Sequence, residues 1–302
     1  MSLRAEVLRL AIRTLVKARG RPDGTVARKR QRLAAAARLL PPTPAAAHTR
    51  AVDVGGVAAE HILPPDVDGD RYLLYLHGGG FIAGSPAIYR PLAWRIARAA
   101  GAAVLSPDYR LAPEHPFPAA LDDATTAYEW LLGAGVAPHR IGICGDSAGG
   151  GLAFSLLLRL RDTGRPLPGA IAALSPWTDL ALSGTSLRAN AAADPMLDAA
   201  ELPGVVGSYL AGADPRHPWA SPLYGEFGGL PPALIQVGGD EILRDDAARL
   251  AARLEAAGGG ARLEIWPRMP HVWHLFAPVV PEARRAIGRV GAFLRERLAG
   301  PL

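Results

Sequence analysis

The sequence predicts an α/β fold with a mostly parallel central sheet covered on both faces by helices. From about residue 50 onward, short runs dense in Val, Ile and Leu alternate with longer amphipathic stretches. That is the pattern of strands buried on both faces and joined by helical crossovers. The chain has 302 residues, 49 % of them hydrophobic, ample for one large core or two modest ones. Glycine-rich turns follow directly on predicted strands, "LHGGGF" and "GDSAGGG", where the carboxyl ends of an open parallel sheet gather function.

Two helices come first and stand outside the repeating pattern. Leu8, Ile12, Leu15 and Val16 fall on one helical face, with Arg9, Arg13 and Lys17 on another. A second helix is expected from about Thr25 to Leu40, stopped by Pro41, Pro42 and Pro44. The alternation then runs strand "RYLLYLH", helix "LAWRIARAAG", strand "AAVLSPDY", helix "ALDDATTAYEWLLG", strand "RIGICGD", helix "GLAFSLLLRLRDTG" and strand "GAIAALSPW". Between about Leu182 and Pro222 the rhythm breaks into an Ala/Pro/Asp-rich segment. A connection that long implies short inserted helices rather than bare loop. Strand "ALIQVGGD", helix "DDAARLAARLEAAG", strand "ARLEIWP" and helix "EARRAIGRVGAFLRERL" complete the sheet.

Bulk properties narrow the function. The formal net charge is +5 and the pI about 9.7, yet the basic residues are scattered. The exception, Arg28-Lys29-Arg30 with Arg32, reads as the solvated face of a helix and not as a nucleic-acid patch. A single cysteine, Cys144, excludes an internal disulfide framework and reads as a small buried hydrophobe. Charged residues interrupt the N-terminal apolar stripe, so neither a signal peptide nor a membrane-spanning segment is expected, and the cytoplasm is the default compartment.

The chemistry concentrates in a few turns. Gly145-Asp146-Ser147-Ala148-Gly149 lies between a strand and an amphipathic helix, the setting of a nucleophile elbow. A phosphate cradle is the rival, but no Lys-Ser/Thr follows the glycines and the dinucleotide fingerprint fails at Ser147. His77-Gly78-Gly79-Gly80 closes a neighbouring strand. Its backbone N–H groups, with that of Ala148, suit a hole for the oxyanion of acyl transfer. A general base is expected late in the chain, and His271 and His274 in "RMPHVWHLF" are both available. Without a third ligand these histidines make a poor zinc site, so neither metal nor cofactor is expected.

From about His48 to the C-terminus the chain resembles the hormone-sensitive-lipase-like family of bacterial esterases, members of the α/β-hydrolase fold. The motifs that carry the likeness are "HGGGF", "SPDYRLAPEHPFPAALDD", "GDSAGGGLA", "SPWTDL" and "DPML". The resemblance implies a serine carboxylesterase acting on short- to medium-chain acyl esters. It places the base at His271, in His271-Val272-Trp273 where relatives carry a His-Gly-Phe-like string, with His274 three positions too late. Relatives carry Asp-Pro-Leu-Arg-Asp-Glu for the acid. A gapless alignment puts Glu241 on the catalytic Asp, while choosing Asp240 needs a one-residue insertion in a tight turn. Asp245 and Asp246 are expected as a helix cap and first-turn charges.

The resemblance also implies a helical cap, from residues 1–45 and the insertion at about 182–222, over a catalytic domain of residues 46–302. Its apolar faces would roof the site, through Leu8, Ile12 and Leu15, with Met196 and Leu197 lining the acyl side. The expected partner is a small-molecule ester, with no nucleic acid and no stable membrane insertion; the sequence leaves monomer and homodimer open. An amidase or deacetylase on the same machinery is an alternative. So is a non-catalytic receptor of the gibberellin-receptor type, which lacks the catalytic histidine that His271 supplies here.

Overall fold

The computed structural model describes residues 2–17, 25–38, 40, 42–44, 47–65, 67 and 69–299. Among these, one eight-stranded sheet is built from β1 (His48–Asp53), β2 (Ala58–Leu63), β3 (Tyr72–Leu76), β4 (Ala103–Pro107), β5 (Ile141–Asp146), β6 (Ala170–Leu174), β7 (Ala233–Gly238) and β8 (Ala261–Trp266). Their spatial order is β1-β2-β4-β3-β5-β6-β7-β8. From β4 to β8 all neighbours are parallel, whereas β1 and β2 pair antiparallel with each other and β2 antiparallel with β4.

That antiparallel pair is absent from the sequence reading, which starts the sheet at the third strand. The reason lies in burial. β1 has no buried residue along its length, so no apolar alternation marks it. The inner strands behave as expected: β4, β5, β6 and β7 are buried throughout.

The helices are α1 (Leu3–Lys17), α2 (Val26–Ala37), α3 (Pro86–Ala100), α4 (Ala119–Gly133), α5 (Ala148–Asp162), α6 (Ser186–Ala189), α7 (Leu202–Leu210), α8 (Arg244–Ala256) and α9 (Pro281–Arg297). α3 and α9 cover one face of the sheet, with Leu92, Ile96, Ala283 and Val290 in the core there. α4, α5 and α8 cover the other, with Leu121, Leu157 and Leu250. The inserted segment does fold as short helices, and α7 sends Val205 and Tyr209 into that second core.

α1 lies against the face of α9. Ala5 is buried there and Leu8 packs alongside, while Ser2 Oγ donates to Glu282 Oε2 at 2.8 Å. Leu8 therefore serves the α3/α9 layer; Ile12 is buried, and the Leu15 side chain is outside the described residues. α2 is the helix that reaches toward the catalytic loops. Val26 and Leu33 pack on the other core, and Arg30 donates to the carbonyls of Ile82 and Ala112 and to Glu114. Lys29 pairs with Glu201 at 3.0 Å. The basic run is thus a set of docking contacts as well as a helix face, a correction that burial patterning alone could not have given.

The junction of β5 and α5 is tightly packed against β3. A Cβ on Gly149 would stand 2.1 Å from the Leu76 carbonyl oxygen and 2.4 Å from that of His77. Both are backbone atoms of the central strand β3 and its exit, which cannot move aside. Gly149→Ala is expected to destabilise the fold by about 2–3 kcal/mol, the scale of an overpacked core, read as a lower urea midpoint at unchanged m-value. A midpoint within error of the parent would show that the elbow has room.

Candidate active site

Ser147 occupies the turn between β5 and α5 at φ 53°, ψ −124°, a left-handed conformation uncommon for a residue with a Cβ. Neighbouring backbone fixes it there. The Ser147 N–H donates to the Leu174 carbonyl, and its own carbonyl accepts from the N–H groups of Trp177 and Gly151, all between 2.9 and 3.1 Å. The serine hydroxyl projects beyond the sheet and meets His271, whose Nε2 lies 2.9 Å from Ser147 Oγ. His271 Nδ1 lies 2.7 Å from Glu241 Oε2. A carboxylate can only accept, so Nδ1 carries the proton and Nε2 is left to receive the one on Oγ.

Glu241 is fully buried. Its Oε1 accepts from Ser175 Oγ at 2.6 Å and from the Gly238 N–H at 2.5 Å. Burial pushes this carboxyl up, against the opposing pull of His271 and of the two donors. Burial on its own would lower the His271 imidazole, but the adjacent Glu241 carboxylate outweighs that, and the net shift is upward. Asp240 turns away to meet Arg9 Nη1 at 3.1 Å. His274 is likewise separate: its Nε2 lies 2.8 Å from Gln236 Oε1, and burial lowers its pKa to about 3.

The glycine loop lies directly against the elbow, a Cβ on Gly78 falling 3.1 Å from Ser147 Cβ. Here one expectation is corrected. The Gly78 N–H donates to Asp146 Oδ1 at 3.0 Å, so it is committed to the elbow's own carboxylate and cannot serve an oxyanion. The same Oδ1 accepts from Tyr75 Oη at 2.7 Å, and burial raises Asp146 to about 7. His77 Nδ1 lies 2.7 Å from the Gly78 carbonyl oxygen and donates to it. In a trans peptide the N–H lies opposite the C=O, so this bond turns the Gly79 N–H the other way. His77 itself is held between Tyr109 and Tyr89, at 4.2 and 5.5 Å between ring centroids. The N–H groups of Gly79 and Gly80 have no acceptor among the described residues. Ala148 opens α5, where first-turn N–H groups lack intrahelical acceptors.

α7 approaches this loop from the insertion. Val205 Cγ1 lies 3.0 Å from where a Gly80 Cβ would be, and Tyr209 stacks on Phe81 at 3.9 Å. Met196 and Leu197 are half-buried, their N–H groups donating to Asp194 Oδ1 at 2.8 and 3.0 Å. Asp194 Oδ2 accepts from the Ile242 N–H at 2.9 Å, which ties their turn to the acid loop.

Sequence reasoning passed over the residues that hold Glu241. Ser175 donates to it and also accepts from the Val272 N–H at 3.2 Å, bridging the acid and base loops. Asn190 donates to the Gly239 and Glu241 carbonyls at 3.1 and 2.7 Å. The one available signal was position: Ser175 sits in the last part of a predicted strand, at the start of "SPWTDL". Asp245 and Asp246 also do more than charge the first turn of α8. Asp246 Oδ2 accepts from the Thr178 and Asp179 N–H groups, and Asp245 from Thr185 and Ser186; the cap position itself is Leu243. No cluster able to hold a metal occurs among the described residues.

A doubly wound sheet, a strained serine at a strand end and a histidine–carboxylate pair beside it define an α/β hydrolase. Residues 73–275 match the family described by the alpha/beta hydrolase fold, and the chain belongs to that family, in its hormone-sensitive-lipase group of esterases. An acetyl-hydrolase of Streptomyces hygroscopicus is 52 % identical over 244 residues, 81 % of each chain. An esterase of Acinetobacter venetianus is 35 % identical over 257 residues, 85 % of this chain and 84 % of that one. The crystal structure of an esterase from the bacterial hormone-sensitive lipase family superposes with a TM-score of 0.94 at 44 % identity, covering 99 % of both chains. The protein is a carboxylic ester hydrolase.

Ser175→Ala removes a donor to a buried carboxylate, a bond worth about 1.5–3 kcal/mol. The expected result is a kcat about ten- to a hundredfold lower with KM little changed, measured on a soluble ester. An unchanged kcat would mean that Gly238 and His271 alone fix Glu241.

Proposed function

We propose that this enzyme hydrolyses short- to medium-chain acyl esters in two steps, with Ser147 as nucleophile, His271 as general base and Glu241 as the acid that orients it. The observation that carries this reading is the unbroken relay from Ser147 Oγ through His271 to Glu241, with steps of 2.9 and 2.7 Å. His271 Nε2 takes the Ser147 proton as Oγ attacks the ester carbonyl carbon. The imidazolium then gives that proton to the leaving alkoxide as the C–O bond breaks. Water, deprotonated by the same nitrogen, attacks the acyl-enzyme and releases the acid, and Oγ recovers its proton. The N–H groups of Gly79, Gly80 and Ala148 are the donors for the oxyanion, each worth about 3–4 kcal/mol.

In this reading α2, α7 and the 182–222 segment form the cap, supported by the contact of Val205 with the glycine loop. Met196 and Leu197 line the acyl side, the turn that Asp194 braces against the acid loop. The acetyl-hydrolase activity named for the Streptomyces relative makes acetyl esters the first substrates to test. A chromogenic ester series from acetate to palmitate locates the chain-length limit. A maximum beyond octanoate would overturn the short- to medium-chain assignment.

Ser147→Ala is expected to fold normally and fall to background turnover, because alanine meets the same steric limit; retention of more than a few per cent would remove Ser147 as nucleophile. Glu241→Gln should lower kcat roughly a thousandfold or more, and Asp240→Asn should be mild. The reverse ranking would move the acid to Asp240. Only neutral His271 can accept the serine proton, so kcat/KM falls as pH drops through its pKa. Because that pKa is raised, the midpoint should lie above the usual histidine value of about 6.5. A flat profile down to about pH 5 would exclude a histidine base.

A further inference from the structure

Helix α1 has two apolar faces, and only one of them is used. Ala5 and Ile12 are buried, and Leu8 packs on the α3/α9 layer. On the opposite side Leu3, Val7 and Leu10 are 80, 60 and 66 % exposed. At 3.6 residues per turn these three lie within about 60° of arc. Among the described residues the other exposed large hydrophobics are Ile265 and Val279, on a different strand and loop. Single exposed apolar residues are ordinary; a contiguous stripe on one helix marks an interaction surface.

We propose that this stripe docks the enzyme on an anionic lipid surface, with α1 lying flat in the interface. Charge selects that occupant. Arg4 and Arg13, both exposed, stand about 90° to either side of the stripe, where basic side chains reach up to phosphate as the apolar edge sinks between acyl chains. The acidic residue of the helix, Glu6, is engaged by Arg9 and Arg268 at 3.3 and 2.8 Å. The chain as a whole carries +5, attractive to an anionic leaflet. A second copy is the poorer fit, since antiparallel pairing of two such helices sets Arg4 against Arg13. The α1 helix has 15 residues, too short for the roughly 20 needed to span a bilayer, and no described helix is long and apolar enough to cross one. One flank of α1, between the stripe and the buried face, holds Asp240 through Arg9 and meets Arg268 through Glu6. Docking therefore sets the loops bearing Glu241 and His271 beside the surface.

The test is flotation of the full chain with vesicles of phosphatidylcholine alone and with about one-third phosphatidylglycerol added. The parent is expected to float with the anionic vesicles, and less so at high salt as the charges are screened. Leu3→Ser/Val7→Ser/Leu10→Ser and Arg4→Glu/Arg13→Glu are each expected to lower the bound fraction at least about tenfold. Both should keep the parent melting temperature and its turnover of a water-soluble acetate ester. The proposal is overturned if the parent stays in the supernatant with both vesicles, or if the triple variant floats as the parent does. It is also overturned if sedimentation shows a dimer that the triple variant dissociates, since the stripe would then be a self-association face.

Discussion

Ser147 is held at φ 53° in a conformation that costs about 1–3 kcal/mol for a residue with a Cβ, and the bonds of its backbone help offset that. The offset comes from outside: a carbonyl at the end of β6, the Trp177 and Gly151 N–H groups, and a helix start pressed onto the backbone of β3. Each of these makes a demand on another part of the chain. β5 must lie between β3 and β6, which the parallel order provides. The residues around the serine must nearly lack side chains. The loop after β3 must close over the elbow, and Asp146 draws it in through the Gly78 N–H.

That last bond changes how the site divides its labour. Asp146 is a buried carboxylate one residue before Ser147, yet its partners are Tyr75 and Gly78. It joins elbow to loop and makes no hydrogen bond to His271. The carboxylate beside His271, that of Glu241, sits on the loop after β7, two strands from β5, braced by Ser175 from the loop after β6. The ends of β3, β5, β6, β7 and β8 thus converge on one site.

Much of this was legible in the residues. The strands buried on both faces declared themselves by continuous apolar runs, and the elbow and glycine loop by composition at strand ends. Glu241 could be preferred to Asp240 because a tight turn leaves no room for an extra residue, and Asp240 does point away, to Arg9. What escaped was of a different kind. β1 is exposed and carries no apolar period. Gly78 looks like any oxyanion glycine until its N–H is seen to be engaged. Ser175, Asn190 and Asp194 act across 48 to 97 residues of chain, and no local pattern encodes such partners. Arg30 read as solvated because its carbonyl acceptors, on Ile82 and Ala112, lie far along the sequence.

The inserted segment and the residues just before it are fastened to residues 238–246 at four points. Asn190 holds the Gly239 and Glu241 carbonyls, Asp194 holds the Ile242 N–H, and Asp245 and Asp246 reach back to residues 178–186. A segment tied in this way is a poor candidate for exchange as a module. Swapping it between relatives would disturb the Glu241 carboxylate that lies against His271, unless residues 238–246 travelled with it. The two stretches are separated in the chain by β7, yet these bonds make each the other's support, and a change in one is felt by the other.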